Sequence, residues 1–432
     1  MTHRSELRSP EATARSGPQL LVLGPYDVLG PTSGGELRSY HLARQLSRLF
    51  RIVYLCFRRE PGGAIERTTV PGLVEAIELW RIPRPRTYTL PKLVRGLIGR
   101  TPVTLLNYTS PLMQRAIEEV LSRYRFDFLH IEGVHMSAYL QRFRSRPDRP
   151  GAIVADWHEL ESELLHRYCR HERALPRRLY AAQTVPKLRA AERIFLRSAD
   201  AHLVVSESDR RALLAMDAQA RVCVVENGVD TEFFRDCDGA ERRRFRILFV
   251  GAMDYSANVD AAVWFARQVW PLVRGHSGLV LTFVGRSPAA AVRALADDPG
   301  IQVTGTVADV RPFYREALLQ VVPLRTGAGT RLKILESMAA GVPVVSTALG
   351  AEGLRVRPGE HLLLAESPQE FRDAILRLVN DAELWRRLAE SGNDLVRREY
   401  DWSVVCAPMR ELYGALAARR RVEEVTGSDP SR

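Results

Sequence analysis

Short apolar runs alternate with longer helical patterns along nearly all of this 432-residue chain, and few folds accept that order. An apolar run at residues 20–24 leads through Gly34-Gly35 into a helical pattern over 36–49 and a second run at 52–57. The order recurs with a helix near 112–124, runs at 126–131, 152–157 and 201–205, and a helix over 208–216. Strands buried on both faces read as unbroken apolar runs, and helices between them are the crossovers that parallel strands need. A polar, charged stretch at 235–244 interrupts, and the alternation then restarts. Strands are expected at 246–250, 279–285, 318–322 and 342–346, and helices over 261–269, 310–317, 368–380 and 382–398, with a last helical stretch over 402–420. A chain of this length also exceeds what one hydrophobic core usually serves. The expected fold class is α/β, with two doubly wound domains in tandem and a cleft between the carboxyl ends of their sheets, where such folds bind ligands. The divisions fall at 1–17 (disordered N-terminus), 18–234 (first domain), 235–245 (linker), 246–400 (second domain), 401–420 (closing helix) and 421–432 (disordered tail).

The densest chemistry lies at residues 322–336, where an apolar run stops at Pro323, a glycine-spaced turn follows, and a helix opens with Arg331 and Lys333. Glycines such as Gly327 and Gly329 let backbone approach an anion, and the N–H groups and partial positive charge of a helix start favour phosphate. Thr330 completes the turn, and the two cations add full charges to the partial one. Glu336, five residues beyond Arg331, sits little more than one helical turn deeper, where a carboxylate can accept hydrogen bonds from ribose hydroxyls. Of the chain's 62 basic residues only Lys92, Lys187 and Lys333 are lysine, and one of the three falls inside this motif. A compact ammonium suits phosphate as a point charge.

The net charge of +11 makes nucleic acid, anionic membrane and anionic substrate the partner classes to weigh. No zinc-finger spacing, aromatic-basic RNA signature or basic tail is present, so nucleic acid is not expected. The excess charge lies at 81–100, which mixes Arg84, Arg86, Lys92, Arg95 and Arg100 with Tyr88, Leu90, Leu93, Leu97 and Ile98, and at 167–197. Both segments read either as solvated faces or as contacts with an anionic membrane. Cys56, Cys169, Cys223, Cys237 and Cys406 are odd in number and scattered, as free thiols in a reducing compartment would be. Residues 1–19 are polar and no run of about twenty apolar residues occurs, so secretion and membrane spanning are not expected. The expected location is cytoplasmic, extending to the inner face of the membrane.

From about residue 20 to 413 the sequence resembles the retaining glycosyltransferases of family 4, the group 1 glycosyltransferases with the GT-B fold. The resemblance rests on Gly34-Gly35, the Asn227-Gly228-Val229-Asp230 turn, the Gly-Ala-Gly-Thr-Arg-Leu-Lys run at 327–333 with Glu336, and Gly341-Val342-Pro343-Val344-Val345. It implies two Rossmann-like domains, a nucleotide-sugar donor bound mainly by the second, an acceptor held mainly by the first, and a last helix crossing back to the first. Donor contacts then fall to Gly251, Gly305, Val307, Gly327, Gly329, Thr330, Arg331, Lys333 and Glu336, and acceptor-side contacts to Gly34, Gly35 and His158. Two departures stand out. The first of two glutamates that many members carry is Ala328 here, and the segment after the first strand of the second domain, residues 251–258, lacks the arginine and lysine common in the family. Arg331 and Lys333 would supply that missing charge.

Cleaving a sugar–phosphate bond builds negative charge on the leaving diphosphate, and positioned cations lower the barrier electrostatically. Arg331 and Lys333 are therefore candidate catalytic groups, and no metal or other cofactor is required. Asp236-Cys237-Asp238 spells a carboxylate pair but has no strand before it. Glu132 and His135 follow the run at 126–131, at the edge facing the cleft, and relatives place a catalytic histidine or acid near this strand end. Capping or packing is the competing reading for both. Asp156, His158, Glu159 and Glu161 end the next strand and either hold acceptor hydroxyls or cap the following helix. The expected activity is transfer of a hexose from a UDP- or GDP-sugar to a glycan or lipid-linked acceptor. The alternatives are a GT-B sugar-nucleotide epimerase and a nucleotide-binding protein that has lost transfer.

Overall fold

A computed structural model describes residues 17–31, 33–69, 77–144, 146, 149–171, 175–237, 245–276, 278–326 and 331–426. The first sheet contains β1 (Gln19–Gly24), β2 (Arg51–Pro61), β3 (Glu66–Thr69), β4 (Ile77–Arg84), β5 (Phe128–Glu132), β6 (Ala152–Trp157), β7 (Ala201–Val204) and β8 (Val222–Val224). Their order across the sheet is β3-β4-β2-β1-β5-β6-β7-β8, parallel throughout except for β3 against β4. The second sheet contains β9 (Arg246–Val250), β10 (Val280–Val284), β11 (Ile301–Val303), β12 (Ala317–Val322), β13 (Val344–Ser346) and β14 (Leu363–Leu364), in the order β11-β10-β9-β12-β13-β14 and all parallel. Every residue of β5, β6 and β12 is buried, which is why these strands read as continuous apolar runs.

Each sheet has one place where the winding reverses, between β1 and β5 in the first and between β9 and β12 in the second. Open α/β sheets leave a crevice at such a point, beyond the carboxyl ends of the strands. The helix Gly34–Leu46 follows β1 and is fixed by a reciprocal cap, Ser33 accepting from Glu36 N–H while the Glu36 carboxylate accepts from Ser33 N–H. The helix Leu332–Ala339 follows β12, and its N-cap residue Arg331 supplies no side-chain cap.

The closing helix Ala407–Thr426 returns to the first domain, where Met409, Leu412, Tyr413 and Leu416 join the core built on β1, β2 and β5. His130 Nδ1 lies 2.8 Å from the Tyr413 hydroxyl, and the Trp402 ring stacks on His41. Among the described residues no helix is long and apolar enough to cross a membrane.

Several sequence expectations need correction. Glu132 is the last residue of β5 rather than a residue beyond it. The helix expected over 310–317 is the single turn Arg311–Arg315, because Ala317 already pairs with Arg246 in the sheet. The second domain's first helix starts at Ser256 and runs through a π-helical turn at Phe265–Val269. Residues 235–237 of the linker form a 3-10 turn, and Val229, Phe234 and Cys237 are buried in the second domain's core, so that core reaches back beyond the expected boundary. The closing helix continues to Thr426, past the expected end at 420, while the N-terminal 1–16 and the tail 427–432 lie outside the described residues. β3, β4 and the helices Leu90–Ile98 and Leu175–Leu196 had no counterpart in the sequence reading.

Candidate active site

On the second domain the carboxyl ends of β9, β10 and β11 are held close by glycine. A Cβ at Gly285 would stand 1.7 Å from the Gly251 carbonyl oxygen, and Gly285 N–H donates to the Gly305 carbonyl at 3.3 Å. Gly305 has φ +70°, in the left-handed region, and Val307 packs against the core beside it. A Cβ at Gly251 would meet Asn258 Nδ2 at 2.8 Å and Lys333 Nζ at 3.1 Å, so this glycine leaves room for the lysine. Lys333 Nζ donates to Asn258 Oδ1 at 2.7 Å and stands 5.0 Å from the centre of the Phe249 ring. Gly327, Ala328, Gly329 and Thr330, the turn expected to cradle phosphate, lie outside the described residues.

Among the described residues the two cations of this site share a single ion pair, and it is a long one. Arg331 is buried, its Nε has no hydrogen-bond partner among the described residues, and its ion pair is a 3.6 Å contact with Glu352, an exposed side chain. Burial and the Arg331 charge pull the Lys333 ammonium down to about 8, with Glu336 opposing. Burial pushes the Glu336 carboxyl up to about 7, with Lys333 opposing. The Tyr314 hydroxyl is buried without a hydrogen-bond partner among the described residues, in the field of Glu336. Charges and polar atoms left in this condition are expensive without a ligand.

The first-domain half is built differently. Arg38 donates to Asp156 through Nε at 2.9 Å and Nη2 at 2.6 Å, and through Nη1 to the Val225 carbonyl and to Asn227 Oδ1. Burial raises the Asp156 carboxyl, yet Arg38 and His158 outweigh it and hold the group well below the usual carboxylate range. Glu132 is sealed at 1% exposure and accepts from Ser39 Oγ at 2.5 Å and from the Tyr54 hydroxyl at 3.0 Å. Burial raises its pKa. Gly24 at the end of β1 permits this packing, since a Cβ there would stand 2.4 Å from the Tyr54 hydroxyl oxygen.

Of this network only His158 lines the cavity, together with Pro25, Tyr26, Gly133, His135, Glu159 and Glu161. Its Nε2 lies 3.1 Å from Asp156 and 3.9 Å from Glu132, and its ring stacks on Tyr26. Gly35 makes space for that stack, because a Cβ there would touch the Tyr26 ring at 2.8 Å. His135 stands 3.3 Å from Glu161, and burial, with His158 and Arg84 adding, lowers it to about 4. Burial and the charges of Glu159 and Glu192 raise Glu161 to about 8. A carboxylic acid beside a neutral imidazole is the resulting pair near neutrality. Glu132 and His135 are thus near neighbours in sequence but occupy different environments, one inside the sheet and one in the cavity.

The halves meet at Gly34, where an added Cβ would lie 3.4 Å from Leu332 Cδ1 on the helix carrying Lys333. Arg38, Ser39, Tyr54, Tyr26 and Asn258 escaped the sequence reading because each acquires its place through a partner distant in the chain. Asp236 stands in the linker turn, where its carbonyl accepts from Arg315 Nε, and Asp238 lies outside the described residues.

Comparisons with known proteins bear on the family and the fold. Residues 33–228 match the glycosyl transferase 4-like domain, and residues 244–381 match the glycosyl transferases group 1 model. A phosphatidyl-myo-inositol mannosyltransferase of Mycobacterium tuberculosis is 29% identical over 206 residues, 45% of this chain and 54% of that protein. A D-inositol 3-phosphate glycosyltransferase of Acidothermus cellulolyticus is 32% identical over 186 residues, 37% of this chain and 41% of that protein. The chain spans about half the length of the curated relatives it matches. Among solved structures, sucrose-phosphate synthase from Thermosynechococcus elongatus superposes with a TM-score of 0.67 at 17% identity, covering 93% of this chain and 100% of that one. HepE of Anabaena in complex with UDP superposes at 0.59 and 15% identity, covering 92% and 100%. The two family models leave only residues 1–32, 229–243 and 382–432 unmatched, and with the GT-B architecture they show that this chain belongs to the group 1 glycosyltransferases.

Proposed function

We propose that the protein transfers a hexose, with retention of anomeric configuration and without a metal, from a UDP- or GDP-sugar to a glycan or lipid-linked acceptor at the inner face of a membrane. The observation that carries this reading is the pair of cations at the start of one helix, Arg331 buried and Lys333 half-buried, whose one ion pair among the described residues is the 3.6 Å contact of Arg331 with the exposed Glu352. A nucleoside diphosphate supplies the missing charge. HepE of Anabaena was solved with UDP, and a trehalose-6-phosphate protein of Escherichia coli with UDP-2-fluoro glucose, which favours UDP among the nucleotides to try first.

In this reading Lys333 and Arg331 bind the diphosphate and stabilise the charge that develops as the sugar leaves. Glu336 takes ribose hydroxyls, and the turn at Gly251, Gly305 and Val307 borders the base. On the first domain, Asp156 is locked by Arg38 and orients His158, which receives the acceptor hydroxyl, with Gly34 and Gly35 shaping the entrance. Glu132 positions His158 from beneath rather than touching substrate, and His135 with protonated Glu161 offers neutral hydrogen bonds to acceptor hydroxyls.

The test is calorimetry of UDP, GDP, ADP and dTDP binding, with EDTA present, on the wild type and Lys333→Ala. One nucleotide should bind tightly and lose about ten- to a hundredfold in affinity in the variant, the cost of a charge-assisted hydrogen bond. Absence of binding by all four would overturn the donor site, and recovery with magnesium would overturn its metal independence.

A further inference from the structure

We infer that the helix Leu90–Ile98, with the exposed end of helix Leu175–Leu196, is a docking surface for an anionic lipid bilayer. The helix is amphipathic in the wrong sense for a soluble domain. Leu90, Leu93, Val94, Leu97 and Ile98 recur at three- and four-residue spacing on one face, and all are exposed, Leu90 at 73% and Ile98 at 82%. The buried side of the helix is Gly96, where an added Cβ would stand 2.2 Å from Val103 Cγ2. The helix therefore packs through its glycine and turns its leucines outward.

A neighbouring helix extends the surface. Lys187 Nζ donates to the Gly96 and Leu97 carbonyls at 2.7 and 2.8 Å, capping the end of Leu90–Ile98, and Gln183 donates to the Leu97 carbonyl as well. Leu175 and Leu179 stand two turns and one turn before Gln183 on the same helix face, and both are exposed. A contiguous apolar face of this kind needs a cover.

Charge identifies the cover. Residues 81–117 hold seven arginines and lysines and not one carboxylate. Arg86, Arg95 and Arg100 border the apolar face, exposed and without an ion pair among the described residues. Apolar residues flanked by cations match a bilayer with anionic headgroups. A second copy of the chain fits poorly, since a two-fold interface would set this carboxylate-free strip against itself. The surface is also tied to the acceptor pocket. Asn107 accepts from Tyr88 N–H, and the adjoining Tyr108 packs its ring 4.5 Å from His135. Docking here would hold the pocket beside the membrane, which deepens the lipid-linked reading of the acceptor and rests on it only for the acceptor's identity.

The full chain should sediment with vesicles of equal parts phosphatidylcholine and phosphatidylglycerol, and much less with phosphatidylcholine alone, the binding weakening as salt rises. The double substitution Leu90→Ser with Ile98→Ser should lower vesicle affinity at least about tenfold, since both side chains bury apolar area in the bilayer. Arg95→Gln with Arg100→Gln should lower it severalfold and reduce the salt dependence. UDP binding measured on the same preparations should remain at the wild-type level, showing that the variants fold. Wild type that ignores phosphatidylglycerol vesicles, or serine variants that bind them equally well, would overturn the inference while leaving the transferase reading intact. Wild type that dimerises in solution, with the serine variants monomeric, would reassign the face to a second copy.

Discussion

The two halves of the cleft both bury charge, yet they treat it in opposite ways. On the first domain Arg38 and Asp156 satisfy each other at 2.6 Å, and the remaining guanidinium nitrogen finds Val225 and Asn227. On the second, Lys333 hydrogen-bonds a neutral amide, and among the described residues Arg331 reaches only an exposed glutamate at 3.6 Å. A closed pair spends its charge on holding backbone together, whereas an open pair keeps its charge for something outside the protein. Burial alone does not mark a binding site; burial without a counter-charge does.

The sharpest way to break this contrast is to open the closed pair. Arg38→Ala leaves Asp156 buried with only His158 beside it, among residues from the helix Gly34–Leu46, β6 and the 225–227 segment. The expected loss is about 3–5 kcal/mol of stability, read as a large drop in the denaturant midpoint. A midpoint close to that of the wild type would show that the network is not structural. Next in size is His158→Ala. His158 is the network's single member in the cavity, so kcat should fall about a hundredfold while UDP affinity holds. A loss shared equally between kcat and UDP affinity would place His158 in donor binding instead.

Lys333→Met applies the same logic in reverse. It removes a cation that the unliganded fold holds at a cost, since burial has drawn its pKa to about 8. Nucleotide affinity should drop about ten- to a hundredfold while the free protein gains on the order of 1 kcal/mol, a rise of a few degrees in Tm. The cost is present in full below the lysine's folded pKa and fades as pH rises beyond it toward the unfolded value. The gain from methionine should therefore shrink above about pH 8. A destabilised Lys333→Met would mean that the lysine is a structural residue after all.

The same contrast governs what the sequence discloses. The sheets were legible because β5, β6 and β12 are buried on both faces, and the helix Leu332–Ala339 because glycines, cations and a carboxylate crowd into one short run. Closed pairs leave no such trace. Arg38 and Asp156 stand 118 positions apart, Ser39 and Glu132 93 apart, and nothing local distinguishes Arg38 from the other arginines. The boundary between domains was misplaced for a related reason, because Phe234 and Cys237 look like linker until the core they fill is assembled. The helix Leu90–Ile98 was unreadable as an element since it lies in a Pro- and Arg-rich stretch and packs through Gly96 rather than through its leucines.

The smallest expected effect also discriminates most finely between an open site and a closed one. Glu336, raised to about 7, and Lys333, lowered to about 8, both titrate near neutrality in the free protein. Ribose hydroxyls donating to Glu336 favour its ionised form, so binding releases a proton, and affinity falls as pH drops through about 7. A diphosphate beside Lys333 favours the ammonium, so binding takes up a proton, and affinity falls as pH rises through about 8. Arg331 stays charged across this range and contributes to neither limb. The dependence of UDP affinity on pH should thus be a bell with its top between about 7 and 8, falling severalfold a unit or more to either side. Glu336→Gln should flatten the acid limb alone, and Lys333→Arg, whose guanidinium does not lose its proton, the alkaline limb alone. Calorimetry in buffers of different ionisation enthalpy reads the two proton movements directly. Their absence would show that ligand does not reach this pair, and that the second domain's charges are as closed as those of the first.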